Sequence, residues 1–429
     1  MATRRFEPAG PLRGSLRPPA DKSISHRAAL IAAMGEGETR IEGYLDAADT
    51  RSTLAAVAAL GATVEEGPEL ASGLKIRGVG LRGPRPAAID VGNAGTLLRL
   101  LPGWLAGQEA GEWTLDGDDS IRRRPVDRVA LPLREMGAEV EAREGRLPPL
   151  VVRGTKLRGV DYEMPVASAQ VKSCLLFAGL LAEGVTRIEE GHRSRDHTER
   201  MLAAAGASIE RASAAVVVRE TKKLRPRRID VPADVSSAAF FVVAATLVAG
   251  SEVTLEAVGV NPTRTGLLAI LRRMGAAIEE EDGGEHGGEP VATLRVRPAP
   301  LRGTEVGGEE IPLAIDELPL VALAACFAEG TTTIRDAEEL RRKESDRVET
   351  VTTALTALGG KVEPTPDGMV IEGTGGLRGG SISSHGDHRI AMFGAVAGLA
   401  SADGVEVEGM EAAAVSYPGF ERDLSSLLT

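Results

Sequence analysis

A short motif, Leu-Arg-Gly or Leu-Arg-Pro, recurs along the chain in a series of six copies at intervals of 67 to 77 residues. Its copies begin at Leu12, Leu81, Leu157, Leu224, Leu301 and Leu377. Repetition at a nearly constant period is typical of proteins that are built from copies of one supersecondary unit. We therefore predict that the 429 residues fold as about six similar repeats.

A second signal recurs in five of these repeats, where an apolar helical run ends in glycine and a strand-like segment follows. Two examples are Leu-Gly-Ala-Thr-Val-Glu at 60–65 and Met-Gly-Ala-Glu-Val-Glu at 136–141. Glycine is favoured just beyond a helix because that position often needs a positive φ. Strands that alternate with helices at this spacing predict an α/β fold made of βαβαβ-type repeats.

The last repeat lacks its closing strand, whereas a strand-like segment at 4–7 precedes the first helix of the chain. We predict that this N-terminal strand completes the last repeat. The chain would then form two domains of three repeats each, residues 20–228 and residues 1–19 together with 229–429. This division places Lys22 beside a domain crossing, in a cleft between the domains.

Composition argues against several classes of function. The net charge of −12 and the 3% aromatic content do not suit a general nucleic-acid or membrane-surface protein. No apolar run is long enough to span a bilayer, and the first residues lack a signal peptide, so a cytoplasmic protein is expected. Cys174 and Cys326 lie in apolar helical runs and are predicted to be buried, without a disulfide or metal role.

Polar residues gather where the first helix of each repeat begins. Asp, Asn and Ser in these segments are good N-caps, which explains part of the pattern. Capping does not require Lys22, Arg27, Gln170 or Arg389, and Gly95 would allow a ligand to approach backbone N–H groups. Cations beside helix N-termini favour bound anions. The pattern therefore indicates sites for phosphate or carboxylate groups.

Further charges lie between strands and second helices, at 122–124, 193–195 and 341–347. Arginine binds phosphate and carboxylate in a bidentate manner, but each cluster is also compatible with a solvated helix start. Asp316 can be either a proton acceptor or a helix cap. Glu344, next to Lys343, can be either functional or part of a surface ion pair.

Two other segments carry weaker signals. The letters of the dinucleotide-binding fingerprint occur at 78–83, but Pro-Arg-Pro follows instead of a helix, so we predict no dinucleotide site there. The Glu- and Gly-rich segment 279–289 is predicted to be a solvated hairpin loop with His286 exposed.

The motifs together resemble those of the 5-enolpyruvylshikimate-3-phosphate synthase family. The matching segments follow the family's order, from Asp-Lys-Ser-Ile-Ser-His-Arg at 21–27 to Asp-His-Arg at 387–389. Those between them are 93–96, 124–125, 168–172, 195–199, 316–317 and 343–347, with Ser-Tyr-Pro at 416–418 beyond. The resemblance thus covers nearly the whole chain.

The resemblance implies an inverted α/β barrel in each of two domains, with six βαβαββ repeats, three per domain, and an active site in the cleft. It implies transfer of the enolpyruvyl group of phosphoenolpyruvate to the 5-hydroxyl of shikimate 3-phosphate, by addition and elimination through a tetrahedral intermediate. This reaction serves chorismate and aromatic amino acid biosynthesis. No metal or other cofactor is implied, and the expected partners are these two small molecules, which bind a monomer. Glyphosate inhibits the family at the phosphoenolpyruvate site.

Site residues carried over from the family fall into three sets. In the catalytic set, Asp316 resembles the base for the 5-hydroxyl, Glu344 the residue that handles the methylene proton, and Lys22 a group between both substrates. The residues that resemble the family's contacts to shikimate 3-phosphate are Lys22, Ser23, Arg27, Ser168, Ala169, Gln170, Arg195, Asp316 and Lys343. Those that resemble the family's contacts to phosphoenolpyruvate are Lys22, Gly95, Arg124, Gln170, Arg347 and Arg389. Some members of the family carry Ser where this chain has Ala169, and some carry Lys where it has Val415.

Other functions remain alternatives. A related family transfers the enolpyruvyl group to a UDP-amino sugar and uses a cysteine in the loop that matches 118–125, where this chain has none. A non-catalytic organophosphate-binding protein would use similar cations. An α/β solenoid scaffold is disfavoured, because the cations do not repeat along the repeating frame. Since both substrates are polyanions, we also expect them to drive domain closure.

Overall fold

The computed structural model describes residues 2–67, 73–212 and 215–428. Contacts between residues divide the chain into two compact units. The first unit comprises Ala20–Pro232 with Glu285–Glu289, and the second comprises the described residues of Met1–Pro19, Ala233–Gly284 and Pro290–Thr429.

The described residues contain strands and helices that alternate along the sequence. The strands are β1 Thr3–Phe6, β2 Arg13–Leu16, β3 Glu38–Glu42, β4 Thr63–Glu66, β5 Leu74–Arg77, β6 Ala87–Asp90, β7 Glu112–Asp116, β8 Glu139–Arg143, β9 Leu147–Arg153, β10 Asp161–Met164, β11 Val185–Glu190, β12 Ile209–Arg211, β13 Ala215–Arg219, β14 Arg228–Asp230, β15 Glu252–Gly259, β16 Ala277–His286, β17 Glu289–Arg297, β18 Glu305–Val306, β19 Thr331–Ile334, β20 Lys361–Thr365, β21 Gly368–Glu372, β22 Gly380–Ser383 and β23 Val405–Glu408. The α-helices are α1 Lys22–Met34, α2 Ala48–Ala59, α3 Gly95–Ala106, α4 Asp127–Glu135, α5 Ala169–Gly179, α6 His197–Ala204, α7 Val235–Leu247, α8 Gly266–Met274, α9 Ile311–Ala314, α10 Leu318–Cys326, α11 Arg347–Ala357, α12 His388–Ala400 and α13 Phe420–Ser426. Short 3₁₀ helices cover Ile121–Arg123, Gly308–Glu310, Glu338–Arg342 and Met410–Val415.

The first unit contains three four-stranded sheets with one common strand pattern. Their orders are β14-β3-β5-β4, β6-β7-β9-β8 and β10-β11-β13-β12. In each sheet the first two strands are parallel and the other neighbours are antiparallel. Because β14 completes the sheet that contains β3, the first unit extends to Pro232.

The second unit repeats this pattern twice and then shortens it. Its sheets have the orders β2-β15-β17-β16, β18-β19-β21-β20 and β22-β23-β1. The N-terminal strand β1 pairs antiparallel with β23, from Thr3 opposite Glu408 to Phe6 opposite Val405. The predicted α/β class is confirmed. All six sheets are mixed, and none of the described strands closes a sheet into a barrel.

Six helices are buried on nearly all sides, three in each unit. They are α1, α3, α5, α7, α10 and α12. Such helices are apolar around their whole circumference, since each must pack against neighbours in every direction. Of the five that begin with polar residues, four expose some of them in the first turn, including Lys22, Gln170 and Arg389. The fold thus restricts ligand-accessible polar groups on these helices largely to their N-terminal turns.

Close packing between α3 and α5 explains a glycine inside a helix. A Cβ atom at Gly103 would overlap the carbonyl oxygen of Cys174 on α5. Glycine normally weakens a helix interior by about 1 kcal/mol relative to alanine, so its presence here reflects the contact between the two backbones. Both cysteines are buried, as predicted.

The segment 279–289 differs from its prediction. It belongs to the hairpin of β16 and β17, whose turn is formed by Gly287 and Gly288 with positive φ. Residues 279–285 are exposed, but Glu289 is only 2% exposed and lies 2.9 Å from Nδ1 of His197 within the first unit. His286 is half-buried. The prediction of a fully solvated loop was therefore wrong at its C-terminal end.

Two further predictions agree with the structure. Residues 78–83 form a turn that no helix follows, so the dinucleotide fingerprint is a match of letters only. Among the helices of the described residues, none has both the length and the apolar character that crossing a membrane requires.

Candidate active site

The predicted site residues lie in two groups, which we describe separately. The first cluster, in the first unit, contains Lys22, Ser23, Arg27, Gly95, Arg124, Ser168, Ala169, Gln170 and Arg195. The second cluster, in the second unit, contains Asp316, Lys343, Glu344, Arg347 and Arg389.

Helix α1 presents two residues of the first cluster at its N-terminus. Asp21 caps the helix, because its side chain accepts a hydrogen bond from the backbone N–H of Ile24 (2.8 Å). Lys22 and Ser23 are therefore the first helical residues, and both are partly exposed. The Nζ of Lys22 lies 3.0 Å from Oδ2 of Asp49 on α2. This arrangement places a cation beside backbone N–H groups, where an anion is favoured.

The guanidinium of Arg27 lies deeper in the same unit and is held by three hydrogen bonds. Its Nε donates to Oγ1 of Thr198 (2.7 Å), its Nη2 to Oγ of Ser173 (2.9 Å) and its Nη1 to the carbonyl of Ser23 (2.9 Å). Burial lowers the pKa of Arg27 to about 10, and the nearby charge of half-buried Arg195 acts in the same direction. Arg27 stays charged at neutral pH, and a bound anion would stabilise that charge.

Helix α5 presents the next three residues. Ser168 caps the helix by accepting a hydrogen bond from the backbone N–H of Val171 (3.4 Å), so Ala169 and Gln170 form its first turn. The hydroxyl of Ser173 donates to the carbonyl of Ala169 (2.6 Å). Because Ser173 also accepts from Arg27, α1 and α5 are linked directly beneath these residues.

A buried lysine connects α5 to neighbouring elements of the first unit. Lys172 is 2% exposed, and its Nζ lies 2.7 Å from Oε2 of Glu190 and 2.7 Å from Oε1 of Glu199. Burying this cation is tolerated because two carboxylates surround it. The pairs connect α5 to strand β11 and helix α6, and so they hold its N-terminal turn in position.

The N-terminus of α3 meets that of α5 through side chains. The amide of Gln170 donates to Oγ1 of Thr96 (3.2 Å) and accepts from Nη1 of Arg99 (3.0 Å). A Cβ at Gly95 would lie 3.0 Å from Nη1 of Arg124 and 3.3 Å from Nη1 of Arg99. The absence of a side chain at Gly95 therefore leaves room for two guanidinium groups beside the helix N-terminus.

The second cluster is centred on the carboxylate of Asp316, which is 14% exposed. Its Oδ1 lies 3.3 Å from Nζ of Lys343 and 3.5 Å from Nη1 of Arg347. Its Oδ2 lies 3.9 Å from Nη2 of Arg389 and 4.0 Å from Nη1 of Arg264. Four cations from three segments of the second unit thus surround one acid. Glu317, not Asp316, occupies the N-cap position of α10, so the capping interpretation does not account for Asp316.

Arg347 connects three acidic side chains within this cluster. Its Nε donates to Oδ2 of Asp387 (2.9 Å), and its Nη2 donates to Oε2 of Glu344 (2.6 Å). Burial disfavours its charge, but the carboxylates of Glu344, Asp387 and Asp316 outweigh burial and raise the pKa of Arg347. Conversely, Arg347 outweighs burial at Asp387 and lowers the pKa of that acid. Arg347 and Asp387 are therefore both ionised at neutral pH.

The Nη1 nitrogen of Arg347 differs from the other two nitrogens of its guanidinium group. Its Nη1 is buried and makes no hydrogen bond with the described residues, although it lies 3.5 Å from Asp316. A buried donor without a hydrogen bond costs about 1–3 kcal/mol and is typical of a site that completes its bonding with a substrate. Glu344 pairs with Arg347 and Lys343 with Asp316, so the predicted alternative of a Lys343–Glu344 surface pair is wrong.

Some arginines of the predicted clusters are structural. Arg122 and Arg123 are exposed, and Arg122 pairs with Asp116. Arg341 donates to the carbonyl groups of Thr365 and Pro366. The interpretation as solvated or structural helix starts therefore holds for these side chains.

Several residues of both clusters were given no substrate role from the sequence, although Thr198 and Glu317 lie in the matching segments 195–199 and 316–317. In the first cluster they are Asp49, Arg99, Ser173 and Thr198, and in the second they are Ser236, Arg264 and Glu317. Ser173 lies one turn beyond Ala169 and could have been found by helical periodicity. Arg264 gives no such signal, because it is a single arginine in a loop far from the other motifs in sequence.

An α/β fold with mixed sheets and with clusters of cations at helix N-termini indicates the class of proteins that bind multiply charged anions. A sequence model described as EPSP synthase (3-phosphoshikimate 1-carboxyvinyltransferase) matches residues 6–424. The chain belongs to this family, and the resemblance found in its motifs is confirmed.

Individual relatives agree over nearly their whole length. The chain is 50% identical over 416 residues to the 3-phosphoshikimate 1-carboxyvinyltransferase of Methylococcus capsulatus, covering 96% of this chain and 94% of that one. It is 51% identical over 423 residues to the protein of the same name from Gloeobacter violaceus, covering 97% of each. A solved structure of EPSP synthase from Acinetobacter baumannii matches with a TM-score of 0.89 at 40% identity, covering 99% of this chain and 98% of that one.

Proposed function

We propose that this chain transfers the enolpyruvyl group of phosphoenolpyruvate to the 5-hydroxyl of shikimate 3-phosphate, as an enzyme of aromatic amino acid biosynthesis. The observation that carries the proposal is the Asp316 carboxylate, surrounded by four cations in a chain of this family. An ionised acid can accept a hydroxyl proton, and the cations suit the charges of two anionic substrates.

The proposed binding residues follow the two clusters. Shikimate 3-phosphate would contact Lys22, Ser23, Arg27, Ser168, Ala169, Gln170, Arg195, Asp316 and Lys343. Phosphoenolpyruvate would contact Lys22, Gly95, Arg124, Gln170, Arg347 and Arg389. The fixed guanidinium of Arg27 and the N-termini of α1 and α5 support the first set. The free Nη1 donor of Arg347 and the space at Gly95 support the second.

The reaction proceeds in two steps. In the addition, the 5-oxygen bonds to C2 of phosphoenolpyruvate, its proton passes to Asp316, and a proton is added to C3. In the elimination, the bond from C2 to the phosphate oxygen breaks and C3 loses a proton, which restores the double bond and releases phosphate. Glu344 would handle the proton at C3, since its carboxylate is partly exposed and bonded to Arg347. Lys22 would stabilise negative charge on both substrates.

We also propose the finer description of the molecule that the resemblance implies. The two compact units would be two domains of three βαβαββ repeats, each an inverted α/β barrel in which separate sheets enclose three buried helices. The common strand order of the sheets supports this description. We further propose a monomeric, cytoplasmic enzyme that uses no metal or other cofactor and binds neither nucleic acid nor membrane. Light scattering after size-exclusion chromatography tests the monomer.

Release of phosphate tests the proposed reaction. With both substrates we expect phosphate to appear, and we expect Asp316→Asn or Lys22→Ala to reduce kcat by at least about 100-fold, because each removes a charged group at the reacting atoms. Asp161→Asn and Lys361→Ala are matched controls, because their side chains are 71% and 64% exposed. Equal rates in site and control variants would contradict the assignment of these residues.

The same assay separates the alternatives. Phosphate release with a UDP-amino sugar in place of shikimate 3-phosphate would favour the related transferase, although the loop 118–125 has no cysteine. Binding of both substrates without any phosphate release would favour a non-catalytic organophosphate-binding protein.

A further inference from the structure

Arg264 is a buried cation of the second unit that no recognised motif includes. It lies between strand β15 and helix α8, and its side chain is 4% exposed. Its Nη2 donates to Oγ of Ser236 (2.6 Å) and to Oδ1 of Asp234 (3.2 Å). Its Nη1 lies 4.0 Å from Oδ2 of Asp316. Arg264 thus spans the distance from the N-terminus of α7 to the proposed base.

The four cations around Asp316 differ in their freedom to move. Arg347 and Arg264 are 1% and 4% exposed, and each is held by a buried acid, Asp387 or Asp234. Lys343 and Arg389 are more accessible, at 21% and 14%. Lys343 and Arg389 can turn toward a bound substrate without breaking a bond to Asp387 or Asp234, although Arg389 would give up the two 3.4 Å bonds that it donates to Glu317 and Ser236.

The two kinds of cation divide between the carboxylate oxygens of Asp316. Oδ1 faces accessible Lys343 and buried Arg347, and Oδ2 faces accessible Arg389 and buried Arg264. When Lys343 and Arg389 bind substrate, each oxygen keeps one buried cation. Arg264 is the cation that remains beside Oδ2.

We propose that Arg264 is a positioning residue for the reaction, which holds the Oδ2 side of Asp316 and keeps this carboxylate ionised while Lys343 and Arg389 engage the substrates. This inference rests on the proposed function, in which Asp316 is the base. It adds a residue that acts through Asp316 and not by contact with substrate.

The surrounding charges determine what removal of Arg264 would do. The groups that face or adjoin Asp316 are Lys343, Glu344 and Arg347 near α11, Asp387 and Arg389 at α12, Glu317 at α10, Asp234 at α7 and Arg264 itself. Glu344 and Asp387 bond to Arg347, and Glu317 pairs with Arg389. Without Arg264, the carboxylate of Asp234 loses the guanidinium that lies 3.2 Å away, and its negative charge near Asp316 is balanced less. Asp316 would then take up a proton more readily.

The test compares Arg264→Gln with Arg264→Lys in steady-state kinetics across pH. For Arg264→Gln we expect kcat at pH 7 to fall at least about 10-fold, with the acidic limb of the kcat profile displaced upward by about one pH unit. KM for each substrate should change less than about threefold, because Arg264 touches neither. Arg264→Lys keeps the charge and should keep the acidic limb near its wild-type position.

Two results would overturn the inference. One is a uniform loss of kcat at every pH with the acidic limb unmoved, which indicates a structural role alone. The other is a raised KM for phosphoenolpyruvate at unchanged kcat, which indicates direct substrate binding. Should Arg264→Gln fail to fold, the double variant Asp234→Asn with Arg264→Gln also removes the negative charge at 234, and a smaller upward displacement is expected. An unmoved limb in the folded double variant counts against the inference equally.

Failure of the proposed function is distinguishable from failure of this inference. If wild-type protein releases no phosphate from the two substrates, the proposed function fails. If wild-type protein is active and Arg264→Gln has the wild-type pH profile, only the role of Arg264 fails.

Discussion

Neighbouring residues in one motif have different physical roles. In the segment 21–27, Lys22 and Ser23 reach the surface, whereas His26 and Arg27 are buried. Nδ1 of His26 lies 2.6 Å from Oγ1 of Thr53, and its Nε2 has no hydrogen-bond partner among the described residues. Burial lowers the pKa of His26 from 6.5 to about 3. His26 is therefore a neutral packing residue beside the charged Arg27.

This burial predicts acid sensitivity. Because the folded-state pKa is lowered, the unfolded chain binds a proton more readily between pH 6.5 and about 3. The contribution of His26 to stability is thus complete above pH 6.5 and is lost as pH falls toward 3. Between pH 7.5 and 5 the loss from this residue is about 2 kcal/mol.

Urea unfolding at the two pH values measures this loss. In His26→Gln the fall in unfolding free energy between pH 7.5 and 5 should be smaller than in wild type by about 2 kcal/mol. His192→Gln, at an exposed position, is the control and should keep the wild-type difference. The same fall in all three proteins would show that His26 titrates normally in the fold.

Residue identities could be predicted only where the sequence carries several signals together. The segments 21–27, 168–172 and 343–347 combine caps, cations and family order, and the structure places Lys22, Gln170 and Arg347 in the first turns of helices. Arg264 and Thr198 acquire their roles through contacts between elements distant in sequence, for example the 2.7 Å bond from Arg27 to Thr198. No local pattern encodes such a contact.

The helices and strands of the fold follow from local sequence signals. Where a residue departs from those signals, close packing between elements explains it. Helix ends at glycine and alternating strands predicted the α/β class, but they did not predict that β14 pairs with β3. That pairing joins residues 228–230 to 40–42, and no sequence motif links these two segments. The predicted domain limit of 228 lies at the first residue of this strand.

Glycine at 103 tests the packing of α3 against α5. Alanine is favoured over glycine in an isolated helix, but here its methyl group would overlap the carbonyl oxygen of Cys174, which cannot rotate away. We expect Gly103→Ala to lower the free energy of unfolding by about 1–3 kcal/mol or more.

Thermal or urea unfolding provides the measurement for Gly103→Ala. Gly191→Ala is the matched control, because a Cβ there meets nothing within 4 Å. Stabilisation of the protein by Gly103→Ala would mean that helix propensity, and not contact between backbones, governs this position.

At the scale of the whole molecule, the average composition conceals the site. The net charge is −12, yet the buried and half-buried cations Lys22, Arg27, Arg195, Arg347 and Arg389 are concentrated where helices begin. The sequence repeat predicted the alternating strands and helices of the fold, because a signal that recurs six times is recognisable even when single copies are weak. It could not predict that the turn at 285–289 lies in the first unit, because a Glu- and Gly-rich sequence does not specify what it contacts. The division into two three-repeat domains stays a prediction.

An acidic protein with concentrated cations should gain stability from the right anion. A ligand that binds only the folded chain adds RT ln(1 + [L]/Kd), or about 2.7 kcal/mol at 100 times Kd. For shikimate 3-phosphate at that concentration we expect a rise in Tm of several degrees. In the proposed function the buried guanidinium of Arg27 binds this ligand, so we expect Arg27→Met to lose most of the rise.

Thermal unfolding with and without ligand measures this rise in each variant, so that any loss of intrinsic stability cancels. Arg187→Met removes an arginine that is 39% exposed and pairs with Asp161, and it should keep the wild-type rise. Sulfate at equal ionic strength separates specific binding from screening of the overall charge. A rise of the same size in Arg27→Met and Arg187→Met would show that the first cluster does not bind the ligand through Arg27. A rise confined to proteins that retain Arg27 would show that one buried cation governs anion binding in a chain of opposite net charge.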